Sequence, residues 1–284
     1  MTSPSLSGSV IALPDSKRLA GFWDAKVTLD IERFDAIDSR YNELPGKFDY
    51  GEFRMRYGRA PRSAEVGCTL SHMAVLQRFH SGPGEASDLH LVAEDDARFS
   101  SNFQRVVTAI GNARTSADVV ILADPYGEAD RFDIGSVSAA QASMSLLSMP
   151  IACSLGGPFY RVGRFHGNVG GTGLYLVTRR AAGLINQLAS DRPNGLPYWV
   201  ADDWDLFVKK LDLDVWITRP NLASWEGSSV IRPDREVQER TRSPDLDLWT
   251  KVRSAIALRT RLGHIPRILE ATRHDLMRGR GRRK

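Results

Sequence analysis

Three adjacent carboxylates, Glu94, Asp95 and Asp96, are the residues of this sequence whose types and spacing point most directly to chemistry. They follow the apolar run 89–93, which has the length and composition of a buried strand. Adjacent carboxylates repel one another, so a site that keeps all three ionised usually holds a cation. Carboxylates suit Mg²⁺ or Mn²⁺, and either ion can neutralise a diphosphate. A solvated turn with incidental acids is the alternative, and both interpretations stay open.

A second acidic group surrounds Trp204 and contains Asp202, Asp203 and Asp205. Acids at the start of a helix complement the helix dipole, which accounts for one or two of them. One of the pair Asp202 and Asp203 could instead serve as a general base that takes a proton from an attacking hydroxyl. The sequence does not decide between these roles.

Glycines and histidines give weaker signals. Gly167, Gly170, Gly171 and Gly173 could let backbone amides approach a phosphate, although loop flexibility explains them better. Their spacing matches neither a P-loop nor a dinucleotide fingerprint. The six histidines show no His-x-x-x-His spacing, and a structural role is the default for His72.

The elements that must position these residues alternate between strand and helix. This alternation predicts an α/β fold with a mostly parallel sheet, in which ligands collect at the carboxyl ends of the strands. The acids at 94–96 and Asp124 would therefore face one edge of the sheet. The segment 39–62 is interpreted as a loop, and Ser63 as the N-cap of the next helix. The predicted strands cover residues 10–13, 27–37, 89–93, 119–122, 173–178 and 215–217, and the predicted helices residues 64–79, 101–110, 179–188, 199–211 and a stretch that ends near 277.

The charge of the 284-residue chain is unevenly distributed. Lys and Arg number 38 against 34 Asp and Glu, a net charge of +4, but residues 251–284 alone carry 11 basic and 2 acidic side chains. The rest of the chain is therefore at −5, which argues against a body that coats nucleic acid. The tail has no Phe, Trp or Tyr from Thr250 onward, so stacking on exposed bases is largely unavailable to it. No nucleic-acid partner is expected.

The remaining composition indicates a globular, cytoplasmic body. Two cysteines, Cys68 and Cys153, are too few for a disulfide framework and indicate a reducing compartment. The N-terminus lacks the pattern of a signal peptide, and no stretch approaches the roughly 18 apolar residues of a spanning helix. The basic tail has apolar residues at helical spacing, which favour contact with an anionic membrane surface, whereas a solvated tail is the alternative. These residues are Leu258, Leu262, Ile265 and Leu269.

In their order along the chain, several segments resemble glycosyltransferase family 25, the lipooligosaccharide galactosyltransferase-like family. Residues 64–72, Ala-Glu-Val-Gly-Cys-Thr-Leu-Ser-His, are similar to its Glu-[Ile/Val]-Gly-Cys-x-x-Ser-His segment, and residues 91–96 are similar to its Leu-Glu-Asp-Asp strand end. The resemblance covers about residues 9–232, with departures at Ala12, Ala93, Ala97 and Leu174. Weaker matches lie at 10–18, 32–38, 171–177, 202–204 and 228–231.

The resemblance implies a single GT-A-like transferase domain over residues 9–235 with a mostly parallel central sheet, followed by a basic helical extension over residues 246–284. It also implies a UDP-sugar donor carrying galactose or glucose, and inverting transfer to a hydroxyl of a glycan or a lipid-linked acceptor. The expected setting is lipopolysaccharide or other cell-surface polysaccharide biosynthesis. The expected location is the cytoplasm, with peripheral attachment at the inner face of the cell membrane.

Roles for individual residues follow from the same resemblance. Asp96 with Glu94 would hold Mn²⁺ or Mg²⁺, and Asp203 or Asp202 would be the base. The competing hypothesis is a catalytically silent protein that binds sugar or scaffolds a membrane assembly, and the retained acids count against it. The expected donor-binding residues are Arg18, Ser71, His72, Glu94, Asp95 and Asp96, and the expected acceptor- or sugar-binding residues are Gly171, Thr172, Tyr175 and Trp204.

Overall fold

The structure is a computed structural model that describes residues 5–24, 27–40, 44, 46–113, 115–124, 142–152, 159–167, 169–225 and 268–277. Its strands are β1 (Leu6–Ala12), β2 (Ile31–Asp35), β3 (Leu89–Glu94), β4 (Ala97–Phe99), β5 (Val119–Ile121), β6 (Ala142–Met144), β7 (Met149–Ala152), β8 (Tyr160–Gly163), β9 (Phe165–Gly167), β10 (Leu174–Thr178), β11 (Val215–Arg219) and β12 (Ala223–Trp225). Its helices are α1 (Leu19–Trp23), α2 (Tyr50–Tyr57), α3 (Ser63–Ser81), α4 (Phe103–Asn112), α5 (Arg179–Ser190), α6 (Trp204–Leu211) and α7 over residues 268–277.

Eight strands form one sheet in the order β2-β1-β3-β10-β5-β11-β8-β7. Strand β1 pairs parallel with β2 and β3, and β5 pairs parallel with β11, but β10 and β8 run against their neighbours. The expectation of a mostly parallel sheet is therefore corrected to a mixed sheet. Both faces of β10 are buried, so its sequence is a continuous apolar run. Such a run does not reveal whether the strand pairs parallel or antiparallel with its neighbours.

Helices cover both faces of this sheet. Successive residues of β3 point to opposite sides, so Val92 packs with α3, α5 and α6, whereas Leu91 and Ala93 pack with α1 and α4. The strands β5 and β10 alternate in the same way between the two clusters. The α/β fold predicted from the sequence is thus present as a sheet between two helical layers.

Several predicted boundaries need correction. The predicted loop contains α2, which starts where the Asp49 side chain accepts a hydrogen bond from the backbone of Glu52. Helix α3 begins at Ser63 with Arg62 as its N-cap, so Ser63 is not the cap. Helix α6 begins at Trp204 rather than at 199. Trp199 is apolar because it packs in the core, and its backbone is not helical.

Helix α7 lies within residues 246–284, the range given to the expected basic extension. Thr272 accepts a hydrogen bond from the backbone of Leu146, and Asp275 pairs with Arg164, so this helix is docked on the body. The apolar positions 258, 262 and 265 and the serine segment 228–231 lie outside the described residues. None of the described helices has the length and apolar character needed to span a membrane.

Candidate functional site

A cleft with a volume of about 120 Å³ opens where β1 and β3 end. These strands are parallel, with Ile11 opposite Glu94, so the loops that follow them lie at the same edge of the sheet. The N-terminal half of α3 and the segment 36–40 complete the walls. The lining residues are Ile11, Leu13, Arg18, Ala36, Ile37, Asp38, Ser39, Arg40, Ala64, Gly67, Cys68, Ser71, His72, Glu94 and Asp95.

Arg18 joins the acidic turn to the loop after β1. Its guanidinium lies 2.7 Å from Asp95 Oδ1 and 3.1 Å from Asp96 Oδ2. Asp95 also accepts a hydrogen bond from the hydroxyl of Ser16, and Arg98 donates to the carbonyls of Asp95 and Arg18. Arg18, which the family resemblance implies as a donor-binding residue, therefore lies against Asp95 and Asp96 in the structure.

Asp96 carries the strongest sign of uncompensated charge in this turn. Burial, and then the nearby carboxylates of Glu94 and Asp95, outweigh the charge of Arg18 and raise the pKa of Asp96 to about 7. Its Oδ1 atom is buried and has no hydrogen-bond partner among the described residues. One guanidinium pairs with both Asp95 and Asp96, so the turn has capacity for a further positive charge.

The Glu94 carboxylate is directed toward α3 and toward the loop before β10. Its Oε1 atom accepts a hydrogen bond from Thr172 Oγ1 at 2.8 Å and lies 3.4 Å from His72 Nε2 and 4.0 Å from Cys68 Sγ. Burial acts to raise the pKa of Glu94, but His72 and Thr172 outweigh it and hold the pKa below its usual value. Burial and the charge of Glu94 together raise the pKa of the Cys68 thiol.

Cys68 is the member of this cluster that the sequence analysis missed. Cys68 and His72 are four residues apart, which places them on one face of α3. That spacing was the available signal, since a cysteine and a histidine separated by one helical turn can both meet a partner opposite the helix. His72 was predicted as a donor-binding residue, and the structure places it in the cleft wall.

The two candidate bases lie in different surroundings. Asp202 Oδ2 accepts a hydrogen bond from the backbone of Gly171 at 2.7 Å, and Gly171 has a φ of +96°. Asp202 is thereby tied to the loop whose next residue, Thr172, donates to Glu94. Gly171 and Thr172, both expected to bind the acceptor or the sugar, are neighbours in this loop.

Asp203 is held by structural partners. Its Oδ1 accepts the backbone N–H of Leu206 at 3.0 Å and caps α6. Its Oδ2 accepts from Arg56 Nε at 2.7 Å and from the hydroxyl of Tyr57. Burial and the neighbouring carboxylate of Asp203 raise the pKa of Tyr57, so this hydroxyl stays protonated and keeps donating.

Three further predicted residues occupy structural positions. The hydroxyl of Ser71 donates to the Gly67 carbonyl at 2.6 Å and accepts from the Ile37 backbone at 2.8 Å, which fastens the segment 36–40 to α3. Tyr175 and Trp204 are 2% and 5% exposed and pack edge to face in the core. The expectation that Tyr175 and Trp204 bind a sugar is corrected, because both rings are buried in the protein.

Comparison with known families decides the broader assignment. The sequence profile of glycosyltransferase family 25, described as an LPS biosynthesis protein, matches residues 10–197, about two thirds of the chain. The chain belongs to glycosyltransferase family 25. As a member of this family it is a glycosyltransferase, with a sugar donor and an acceptor, and the family is one of lipopolysaccharide biosynthesis. The matched range contains Arg18, the acidic turn and the Gly171 loop, and it ends before Asp202.

Other comparisons add little to the family assignment. Among solved structures, a protein assigned as a glucose-1-phosphate thymidylyltransferase from Bacillus anthracis, in complex with a sucrose, shares 15% sequence identity. The alignment covers 75% of this chain and 89% of that chain, with a TM-score of 0.34. A similarity of this size carries no information about the site. No curated protein matches the chain.

Proposed function

We propose that this member of family 25 transfers a hexose, galactose or glucose, from a UDP-sugar to a hydroxyl of a glycan or a lipid-linked acceptor, with inversion at the anomeric carbon. The observation that carries the proposal is the pairing of Arg18 with Asp95 and Asp96, beside Glu94, at the joint ends of β1 and β3. Ligands of α/β proteins collect at that edge. The family assignment supplies the reaction class.

The acidic turn fits a hard divalent cation. Asp96 has a buried oxygen without a hydrogen-bond partner among the described residues, and it shares the one guanidinium of Arg18 with Asp95. Asp96 and Glu94 are proposed to hold Mn²⁺ or Mg²⁺, with Asp95 engaged by Ser16 and Arg18. Such an ion would neutralise the charge that develops on the departing diphosphate.

The chain's own residues bind and orient the donor. The side chain of Arg18 is 32% exposed at the cleft and supplies positive charge for the phosphates of the nucleotide. Apolar walls from Ile11, Leu13 and Ile37 exclude water from the bound donor. Ser71 and Gly67 keep the wall formed by residues 36–40 in place.

Asp202 is the proposed general base. Its carboxylate joins the loop that contacts Glu94, whereas that of Asp203 is occupied by Arg56, Tyr57 and the first turn of α6. In the proposed step the acceptor oxygen bonds to the anomeric carbon as the bond to UDP breaks. The hydroxyl proton passes to Asp202, and the bonding electrons leave with the diphosphate.

The proposed partner of the tail is an anionic membrane surface. Helix α7 turns its polar residues Thr272 and Asp275 toward the body, while Leu269, Leu276 and Met277 are more than half exposed. Five of the seven residues after α7, at 278–284, are Arg or Lys. An outward apolar stripe next to clustered cations is the pattern of a helix that lies on anionic lipid. Such attachment would bring the cleft to a lipid-linked acceptor at the cytoplasmic face.

The metal assignment has its own test. Purified protein is incubated with UDP-sugars and Mn²⁺, and released UDP is measured for the wild type and for Asp96→Ala, with and without chelator. We expect turnover that chelator abolishes and that Asp96→Ala reduces by roughly 100-fold or more. Undiminished turnover in Asp96→Ala would remove the metal assignment and leave the transferase proposal standing. A catalytically silent protein would release no UDP from any donor.

A further inference from the structure

Three side chains that could ligate a metal converge in the wall of the cleft. Asp96 is not one of them. Cys68 Sγ, His72 Nε2 and a carboxylate oxygen of Glu94 all lie within 4.8 Å of one another. Two of them project from one face of α3, and the third ends β3 opposite that face. All three belong to the set that lines the cleft.

The spacing of these atoms is close to that around one tetrahedral ion. With metal–nitrogen and metal–oxygen bonds of about 2.0 Å and a metal–sulfur bond of about 2.3 Å, tetrahedral angles put nitrogen and oxygen ligands roughly 3.3 Å apart and sulfur and oxygen roughly 3.5 Å apart. The observed separation of His72 Nε2 from Glu94 Oε1 is 3.4 Å, and that of Cys68 Sγ from the same oxygen is 4.0 Å. The sulfur–oxygen separation exceeds the tetrahedral value by about half an ångström, and all three atoms lie within 4.8 Å of one another.

A second, independent observation comes from His72. Its side chain is 4% exposed, and its Nε2 atom has no hydrogen-bond partner among the described residues although it is directed at this cluster. Its other ring nitrogen, Nδ1, lies 3.0 Å from the hydroxyl of Tyr175. A metal-binding histidine is typically held in this way, with one nitrogen fixed by a second residue and the other left for the ion. Thr172 fixes Glu94 in the same manner through its 2.8 Å hydrogen bond.

We infer that Cys68, His72 and the Oε1 atom of Glu94 form a binding site for a borderline-soft divalent cation such as Zn²⁺, while the second carboxylate oxygen of Glu94 is left for the ion proposed at Asp96. Thiolate and imidazole ligands select this class of ion, whereas the all-carboxylate turn at Asp96 suits Mn²⁺ or Mg²⁺. Binding displaces the thiol proton of Cys68 to solvent. Because three protein ligands leave a fourth position open, and because all three line the cleft, a water or a phosphate oxygen can complete the coordination.

Cobalt provides a direct readout of the sulfur ligand. Full-length protein is stripped of metal and titrated with Co²⁺, and the near-ultraviolet band of thiolate-to-cobalt charge transfer is followed together with the visible bands. We expect this band in the wild type and in Cys153→Ser, which removes the other cysteine of the chain. We expect Cys68→Ser to lose the band and to bind Zn²⁺ roughly 100-fold more weakly by calorimetry.

Two further variants separate this site from the acidic turn and from a folding defect. Asp96→Asn should keep the charge-transfer band, since it leaves all three ligands in place. If Cys68→Ser does not fold, as judged by circular dichroism, His72→Gln takes its place, and its visible spectrum should lose the tetrahedral bands. A wild type without a charge-transfer band, or a band that survives Cys68→Ser, would overturn the inference. UDP release measured on the same samples reports the transferase proposal independently.

Discussion

Asp96 makes the stability of the acidic turn depend on pH. Its pKa is raised from 3.8 to about 7, so the folded protein favours the neutral acid. A raised pKa stabilises the fold fully below the unfolded value, near pH 4, and this contribution is lost as the pH rises to 7. We therefore expect Asp96→Asn, in the presence of chelator, to melt at a higher temperature than the wild type at pH 8 and at nearly the same temperature at pH 4.

A matched control for this variant is Asp205→Asn. Asp205 is 80% exposed and pairs with Lys209 one turn along α6, so its removal should change the melting temperature little at either pH. An equal offset between Asp96→Asn and the wild type at both pH values would show that Asp96 does not titrate in this range.

The two adjacent aspartates before α6 should separate function from stability. Asp202→Asn removes the proposed base and is expected to lower kcat by roughly 10²- to 10⁴-fold with little change in KM for the donor. Asp203→Asn keeps a capping oxygen for Leu206 but loses its ionic contact with Arg56, so it should lower the melting temperature and retain most of kcat. Steady-state kinetics and thermal melts of both variants decide, and the reversed pattern would make Asp203 the base.

Some residues of the site could be predicted from the sequence, and others could not. The acids 94–96 were recognisable because three carboxylates at a strand end are chemically unusual, and Arg18 was found through the family resemblance. Tyr175 and Trp204 were misjudged, because an aromatic residue in a sequence does not reveal which of its faces is covered. Cys68 was overlooked, since its partner Glu94 is distant in sequence and only the fold brings the two together.

At the scale of elements, the approach of α3 to the segment after β2 shapes the cleft. A Cβ atom on Gly67 would lie 2.4 Å from Ser39 Oγ and 2.7 Å from the Ile37 carbonyl oxygen, so the helix can lie this close only with glycine there. Gly67→Ala should cost about 1–3 kcal/mol of unfolding free energy. It should also raise KM for the donor, because the displaced segment is a wall of the cleft.

The control is Gly51→Ala on α2. A Cβ there meets nothing closer than Asp49 Oδ1 at 3.5 Å, and helix propensity favours alanine by roughly 0.5–1 kcal/mol. Urea unfolding of both variants measures the difference. If Gly67→Ala is as stable as Gly51→Ala, the contact between α3 and residues 36–40 is not tight.

The sequence predicted which segments form strands better than it predicted how the strands pair. The apolar runs at 89–93, 119–122 and 174–178 appear as strands in the structure because their two faces are buried, and buried runs are easy to recognise. The direction of β10 was not predictable, since direction is set by pairing with distant strands. Helix α2 was missed because its Tyr, Arg and Gly content is typical of a loop.

At the scale of the whole molecule, the charge division and the outward face of α7 lead to a prediction about membranes. Vesicles of phosphatidylglycerol should bind the wild type, and vesicles of phosphatidylcholine should not, because only the former attract the basic tail. The double change Leu269→Glu and Leu276→Glu should weaken binding strongly, since it places charges on the apolar stripe. Vesicle flotation measures this.

Met55→Glu is the matched control. Met55 is 74% exposed on α2, so this change places an acid on an exposed apolar residue elsewhere on the body. It should leave vesicle binding intact. Equal loss in both proteins, or unchanged binding after truncation at Trp249, would remove the membrane proposal.

The central claim, that the cleft at the ends of β1 and β3 transfers a sugar from a UDP donor, has one direct measurement. Purified full-length protein is mixed with UDP-galactose, UDP-glucose and other UDP-sugars in turn, with Mn²⁺ and a lipid-linked or glycan acceptor, and released UDP is quantified. We predict UDP release with at least one hexose donor, and its loss in Asp202→Asn. Release of no UDP from any donor by folded protein, with a set of acceptors, would contradict the account.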